Sequence, residues 1–236
     1  MKYSIYTLII FTVLVASCSE QQYFVKGKST QSTLDGEYAY MAPMTSHNLP
    51  YIDSCRVVHG RFEMTGTVDS IQYVTIFMGS TGIPMVLETG EVTINFQNSN
   101  IYVSGTPLND RFYTFLSTRD SLIFIQKELY NKIKETSPYR ISSSYESDVN
   151  AIRTVTTQID SLESSFVEEN YDNVLGVSWF LRMCDEESKR AGHYCMPAKL
   201  QNIYNSAPPS FKQNREIQHF RQLCKGDIYN QGYYNY

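Results

Sequence analysis

The sequence predicts an α+β protein, with an N-terminal antiparallel β-sandwich or barrel-like domain followed by an all-helical segment of about five helices. Two observations support this prediction. From residue 23 to about residue 106, short apolar runs rich in β-branched and aromatic residues alternate with turn residues, as in a sandwich or barrel. From Asn109 onward, apolar residues recur three and four positions apart, which is the period of one helix face.

A short apolar leader precedes both parts. Lys2 is the only charged residue before Glu20, and residues 5–17 form a run without any charge. The run is too short for a membrane span, which takes about 20 residues. A positive start, a short apolar middle and small residues before a break are typical of a cleaved export signal. We therefore predict a signal peptide over residues 1–17.

Cys18 determines how the mature chain is held. The stretch Val15–Cys18 resembles the bacterial lipoprotein box, in which small residues precede a cysteine. This resemblance implies diacylglycerol on the Cys18 sulfur, cleavage before Cys18 and acylation of the new N-terminus; two or more chains give stable anchoring. A plain secretory signal with a chance cysteine is the alternative. Ser19 favours the outer membrane by resemblance to sorting rules, so we expect a lipid-anchored envelope protein facing the periplasm or the cell surface.

Residues 18–22 are predicted as the lipidated start with a short tether, and residues 23–107 as the β domain. The strands are predicted in six stretches: 23–29, 37–43, 54–68, 71–78, 83–96 and 101–106. The third and fifth stretches each hold two strands. A two-residue link containing glycine predicts a hairpin at His59–Gly60, and a second hairpin is predicted to turn at Gly90.

The helical domain is predicted over residues 108–225, and a frayed tail over residues 226–236. Five helices are expected from periodicity and end signals. They run from Asn109 or Asp110 to before Pro138, from a capping box at Ser143 and Glu146, from Asp172 to Arg190, from Pro197 to Asn205, and from about Ser210 to Cys224. Asp172 is the predicted cap of the third helix, and Gly192 its predicted end.

Composition describes a folded, mildly acidic chain. Removing the leader leaves 219 residues with 19 basic and 24 acidic side chains, a net charge of −5. Apolar residues make up 42% and charged residues 19% of the whole sequence, as in globular proteins. No basic cluster exists, which argues against a nucleic-acid partner. The tyrosines of the β half either pack in the core or form a stacking surface, and their alternation predicts that about half point inward.

Four cysteines follow the leader: Cys55, Cys184, Cys195 and Cys224. In an oxidising compartment they can pair, and Cys184 and Cys195 are close enough in sequence for a disulfide. Buried free thiols are the alternative. A redox pair would need an exposed thiolate of low pKa. A zinc site built from these cysteines and His193 lacks the usual close Cys-x2–4-Cys spacing, so no metal and no cofactor are predicted.

No catalytic motif is found in the chain. It has no Cys-x-x-Cys pair, no Gly-x-Ser-x-Gly elbow, no phosphate loop and no dinucleotide fingerprint. The acidic stretches 168–169 and 185–187 fall on predicted helix faces or ends, where solvated side chains are the ordinary explanation. The sequence therefore predicts no catalytic residue and does not predict an enzyme.

The order of the motifs resembles a family of lipoproteins from Bacteroides-type bacteria. Its members carry an uncharacterised N-terminal β domain, then a helical segment, then a thioredoxin-like domain of the peroxiredoxin-related class. The resembling stretches are "FVKGKS", "IDSCRVVHGRFEMTGTV", "VLETGEVTINF", "IYVSGTPLNDRF", "NYDNVLGVSWFLRM" and "LQNIYNSAPPSFKQN". These stretches are spread over nearly all of the mature chain. Their shared motifs mark structural turns and are not catalytic signatures. The sequence stops where the thioredoxin-like domain would begin, so the resemblance implies the accessory part without the enzyme.

These observations predict a non-catalytic cell-envelope lipoprotein that acts through binding or assembly. Its lipid anchor would hold it to the membrane. One alternative is an accessory or docking component of a thiol–disulfide redox system, with a thioredoxin-like envelope protein as its partner. The other alternative is a glycan- or peptide-binding lipoprotein.

Overall fold

The structure is a computed structural model that describes residues 21–30, 32–43, 50–97, 100–135 and 143–226. The chain divides into two compact units, with the boundary between Asn109 and Asp110. Within the described residues the first unit holds eight strands, and six helices follow. The α+β prediction is therefore confirmed, although the sheets do not close into a barrel.

The strands form two four-stranded sheets. They are β1 (Gln22–Ser29), β2 (Tyr38–Pro43), β3 (Asp53–Arg56), β4 (Arg61–Thr67), β5 (Gln72–Met78), β6 (Thr81–Leu87), β7 (Gly90–Gln97) and β8 (Asn100–Ser104). The first sheet has the order β4-β1-β7-β8, and the second has the order β3-β2-β5-β6. All neighbouring pairs are antiparallel except β1 and β7, which are parallel.

Alternate side chains of both sheets are buried and supply the core of the first unit. In β1, Tyr23 and Val25 point inward between exposed neighbours, and β2 buries Ala39 and Met41 in the same way. The Tyr23 hydroxyl donates a hydrogen bond of 2.8 Å to Asp53 Oδ2, which ties β1 of one sheet to β3 of the other. The alternation in the sequence therefore identifies the buried face of each of these strands.

The hairpin predicted at Gly90 is wrong, and the one predicted at His59–Gly60 is confirmed only as a turn, because the strands on either side of each turn belong to different sheets. His59 and Gly60 do form a tight turn with positive φ angles of 51° and 69°, closed by a bridge from Val58 to Arg61. However, β3 pairs with β2 and β4 pairs with β1. Likewise β6 pairs with β5, whereas β7 lies between β1 and β8. Alternation determines which face of a strand is buried and does not determine its neighbour.

The helices are α1 (Pro107–Glu135), α2 (Ser143–Glu168), α3 (Val174–Ala191), α4 (Ala198–Ser206), α5 (Pro209–Lys212) and α6 (Arg215–Cys224). The cap of α3 is Asn173 and not the predicted Asp172, since the Asn173 side chain accepts a hydrogen bond from the Leu175 amide. Gly192 ends α3 in the left-handed conformation, with φ of 74°. The predicted fifth helix is two helices, because the Asn214 side chain caps a new start at α6.

An aromatic cluster forms part of the core of the helical unit. The Phe115 and Phe166 rings stack at a centroid distance of 3.8 Å, and the Trp179 ring meets Phe115 edge-on at 4.6 Å. The guanidinium groups of Arg119 and Arg182 lie over the Trp179 ring at 5.1 and 4.7 Å. These cation–π contacts extend the cluster to charged side chains of α1 and α3.

Asn109 joins the first turn of α1 to strand β6 and is completely buried. Its side-chain oxygen accepts from the Val86 amide at 2.9 Å, and its side-chain nitrogen donates to the Val86 carbonyl at 2.8 Å. The same nitrogen donates to Thr106 Oγ1 at 2.8 Å, and Glu88 accepts from the Leu108 amide. The first helix was expected to begin at Asn109 or Asp110, but it begins at Pro107, and the Asn109 side chain pairs with a strand backbone.

Candidate functional site

The predicted lipidation residue, Cys18, lies outside the described residues. The anchor and the compartment therefore stay predictions. Among the helices that the structure describes, none is both long enough and apolar enough to cross a membrane.

The structure places the two cysteines of the predicted disulfide near one another, at the C-terminal half of α3 and just beyond it. Cys184 is buried on α3, and Cys195 is half-buried in the link to α4. Ser188 connects them: its hydroxyl donates to the Cys184 carbonyl at 2.8 Å and accepts from the Cys195 amide at 3.2 Å. The cysteines of the described residues are free thiols, so the disulfide stays a prediction.

A third cysteine, Cys224, belongs to the same cluster, which we call the thiol cluster (Cys184, Cys195 and Cys224). Burial raises the pKa of the Cys184 thiol well above its usual range, and the nearby Cys224 and Cys195 thiols raise this pKa further. Burial also raises the pKa of Cys224, and Cys195 adds to that shift. These effects favour the protonated thiols, since neighbouring thiolates would repel one another.

The sequence carried a signal for Cys224 that the pairing prediction did not use. Ile217, Phe220 and Cys224 are three and four residues apart, so they share one face of α6, and the first two are buried.

The zinc alternative gains no support. Within the described parts of the chain, no three or more His, Cys, Asp or Glu side chains are placed to hold a metal ion.

The second sheet presents an exposed cluster of rings, which we call the aromatic face (Tyr38, Tyr40, Tyr51 and Phe77). Tyr38 and Tyr40 alternate with buried residues on β2, and Phe77 lies directly opposite Tyr40 on β5. Ring centroids are 5.9 Å apart for Tyr38 and Tyr40 and 4.6 Å apart for Tyr40 and Tyr51. Tyr38 is 51% exposed and Tyr51 is 59% exposed. The three tyrosine rings therefore contact one another, and the face remains accessible to a ligand.

Small residues flank the rings, so the neighbouring side chains do not project beyond them. Gly82 of β6 lies opposite Phe77, and Ser54 of β3 lies opposite Tyr40. Ala42 and Thr75 form the next pair along β2 and β5. The expectation that about half of the β-domain tyrosines point inward is wrong, because Tyr23 is the one that is buried in the described strands. Smaller residues such as Ala39 and Met41 occupy the inward positions of β2 instead.

The helical unit also contains a cleft of about 450 Å³ between α1, α2, α3 and α4. Its charged lining side chains form ion pairs, each with a closest distance of 2.6 Å: Arg119–Glu163, Lys199–Asp160 and Arg190–Glu187. Because these charges compensate one another, a charged ligand would have to break existing pairs. The cleft is thus a weaker candidate than the aromatic face.

Comparison with known proteins characterises the first unit alone. No curated protein and no solved structure matches the chain. Residues 23–112 match the family described as a domain of unknown function, DUF4369. The match begins in β1, includes all of the strands that follow and ends in α1. This match supports the prediction of an uncharacterised N-terminal β domain: residues 23–112 are similar to the DUF4369 family model.

Proposed function

We propose that this chain is a non-catalytic, lipid-anchored protein of the cell envelope that binds a neutral glycan on its aromatic face. The accessible ring cluster of the second sheet is the observation that carries the proposal. Exposed aromatic patches are typical of binding surfaces, since core positions normally take such rings out of water. The predicted leader that ends before Cys18 and the resemblance to lipoproteins of Bacteroides-type bacteria support the envelope location, and Ser19 supports the outer membrane.

The chemistry of the aromatic face favours a neutral, hydroxyl-rich ligand. Tyrosine combines a flat apolar ring with a polar tip, so it packs against C–H groups and hydrogen-bonds to hydroxyls. The charged group beside the rings is Arg56, opposite Tyr38, and its Nε already donates to the Gly36 carbonyl at 3.1 Å. Its remaining N–H groups could donate to the hydroxyls of a neutral sugar.

The same face is less suited to a peptide or protein partner. A peptide that adds to a sheet uses the backbone groups of an edge strand, whereas Tyr40 and Phe77 lie on the interior strands β2 and β5. Protein interfaces have apolar cores of aliphatic and aromatic side chains. Here the positions that flank the Tyr40–Phe77 pair are occupied by the small residues Ser54 and Gly82.

The proposal is tested by calorimetric titration of the full-length lipidated protein in a polyoxyethylene detergent, because a sugar-based detergent would compete. The probes are maltohexaose, cellohexaose, xylohexaose and mannohexaose. We expect one or more to bind, and Tyr38→Ala or Tyr51→Ala to weaken that binding by about tenfold or more, as for a central aromatic contact.

Tyr102→Ala is the matched control. Tyr102 is 54% exposed, like Tyr38, but lies on β8 of the other sheet. We expect this variant to bind as the unchanged protein does. Absence of binding to all four sugars, or equal weakening by Tyr102→Ala and Tyr38→Ala, would contradict the glycan assignment.

A further inference from the structure

Two independent contacts bring the three thiols of the helical unit together. Ser188 ties Cys195 to α3 beside Cys184, through hydrogen bonds of 2.8 and 3.2 Å. The Tyr194 ring meets the Phe220 ring edge-on at 6.0 Å, which places the segment carrying Cys195 against α6. Cys224 lies one turn beyond Phe220 on that helix. The three thiols therefore form one cluster, in which both Cys224 and Cys195 are close enough to raise the pKa of Cys184.

The three thiols differ in access to solvent. Cys184 is completely buried, whereas Cys195 and Cys224 are both partly accessible. Thiol–disulfide exchange requires an ionised thiol, and this thiolate must be able to reach a sulfur of the disulfide that it attacks. Burial raises the pKa of both Cys184 and Cys224, so access to solvent is what separates them. The completely buried Cys184 cannot reach an oxidant, whereas the partly accessible Cys195 and Cys224 can.

We propose that Cys195 and Cys224 form an exchangeable dithiol that closes to a disulfide on reaction with a disulfide oxidant, while Cys184 remains a reduced thiol. This differs from the Cys184–Cys195 pairing expected from sequence distance. The chemistry does not depend on glycan binding, because all three cysteines lie in the helical unit. It assigns a redox-sensitive site to a part of the chain outside the DUF4369 match.

The reaction proceeds in two exchange steps. The thiolate of Cys195 or Cys224 attacks one sulfur of the oxidant RS–SR, which breaks the oxidant's S–S bond, releases RS⁻ and leaves a mixed disulfide on the protein. The second cysteine thiolate then attacks the protein sulfur of the mixed disulfide and releases the second RS⁻. Two protein thiols have lost two electrons and two protons, and the oxidant has become two RSH.

Tryptic mapping of the full chain treated with glutathione disulfide tests this pairing. Cleavage after lysine and arginine puts Cys184, Cys195 and Cys224 in the separate peptides 183–189, 191–199 and 222–225. We expect a linked peptide of 191–199 with 222–225, and peptide 183–189 alkylated as a free thiol. A linked peptide that contains 183–189 would overturn the proposal. So would glutathione adducts on both Cys195 and Cys224 without a linked peptide.

Serine variants separate the roles of the cysteines. Cys195→Ser should abolish the intramolecular link and leave Cys224 with a glutathione adduct. We expect the fold to tolerate this change because Cys195 is partly exposed. Cys55→Ser, in the β unit, is the matched control and should leave the link unchanged. A link between Cys184 and Cys224 that forms as readily in Cys195→Ser as the original link would count against the assignment.

Discussion

Replacing Asn109 with leucine removes a buried side chain that pairs with a strand backbone. Leucine has nearly the same shape, so the change deletes hydrogen bonds without a large change in volume. The Val86 amide and the Val86 carbonyl each lose the partner 2.9 and 2.8 Å away. Both groups belong to a completely buried residue, so water cannot replace Asn109 without opening the site.

The size of the effect follows from the groups left unpaired. Each buried polar group without a partner costs about 1–3 kcal/mol, so two groups lower the free energy of unfolding by about 2–6 kcal/mol. With an m-value of about 2 kcal/mol per molar urea, the unfolding midpoint should fall by about 1–3 M. That loss is a large part of the stability of an ordinary domain.

Urea unfolding followed by far-ultraviolet circular dichroism measures this midpoint. Asn150→Leu is the control, since Asn150 is exposed on α2 and a surface change there should shift the midpoint little. Asn109→Asp adds a pH test: its carboxylate would face the Val86 carbonyl, while the protonated acid could donate to it. Its defect should therefore diminish as the pH falls. An Asn109→Leu midpoint within about 0.3 M of the unchanged protein would refute the reasoning.

Three further changes test the anchor and the packing of each unit. Cys18→Ala should move the protein from the detergent phase to the aqueous phase on phase partitioning, because the acylated sulfur is lost. Arg119→Met should lower the free energy of unfolding by about 3–5 kcal/mol, measured by Trp179 fluorescence in urea, because it leaves Glu163 charged and nearly buried. Gly27→Ala should cost about 1–3 kcal/mol in thermal or urea unfolding, because its methyl group would occupy the position of the Phe62 ring.

Each change has its own control. A protein with Cys18→Ala that still enters the detergent phase would contradict lipidation at this residue. Lys189→Met removes an exposed ion pair with Asp185 and should leave the unfolding midpoint unchanged, so an equal loss from both variants would contradict the burial argument. Gly82→Ala meets Thr75 and Phe77 side-chain atoms at 3.2 Å or more and should be milder than Gly27→Ala.

Local sequence patterns were sufficient to predict the helices and strands, but they were insufficient to predict which strands pair with one another. The capping box of Ser143 and Glu146 predicted the start of α2, and glycine at position 192 ended α3 as expected. The parallel pairing of β1 with β7 joins residues that are far apart in the chain, such as Val25 and Val92. No local period encodes such a pairing, which depends on the three-dimensional packing of both sheets.

The candidate sites show the same difference between local and long-range information. The outward position of Tyr38 and Tyr40 follows from the buried Ala39 and Met41 on either side, so the β2 sequence contained it. The approach of Cys224 to Cys195 depends on the packing of α6 against the segment after α3. Distance along the chain favoured Cys184 as the disulfide partner of Cys195. The fold shows that Cys224 is also near enough to be considered as that partner.

The central position of β1 in its sheet has a mechanical consequence for an anchored protein. With the anchor proposed at Cys18, four residue steps separate the acylated cysteine from Gln22, a reach of at most about 14 Å. The domain would thus be held against the membrane surface and could not extend far from it. Pulling on the anchor would load β1 along its axis, where β4 and β7 both pair with it, so their hydrogen bonds would resist the force in shear together.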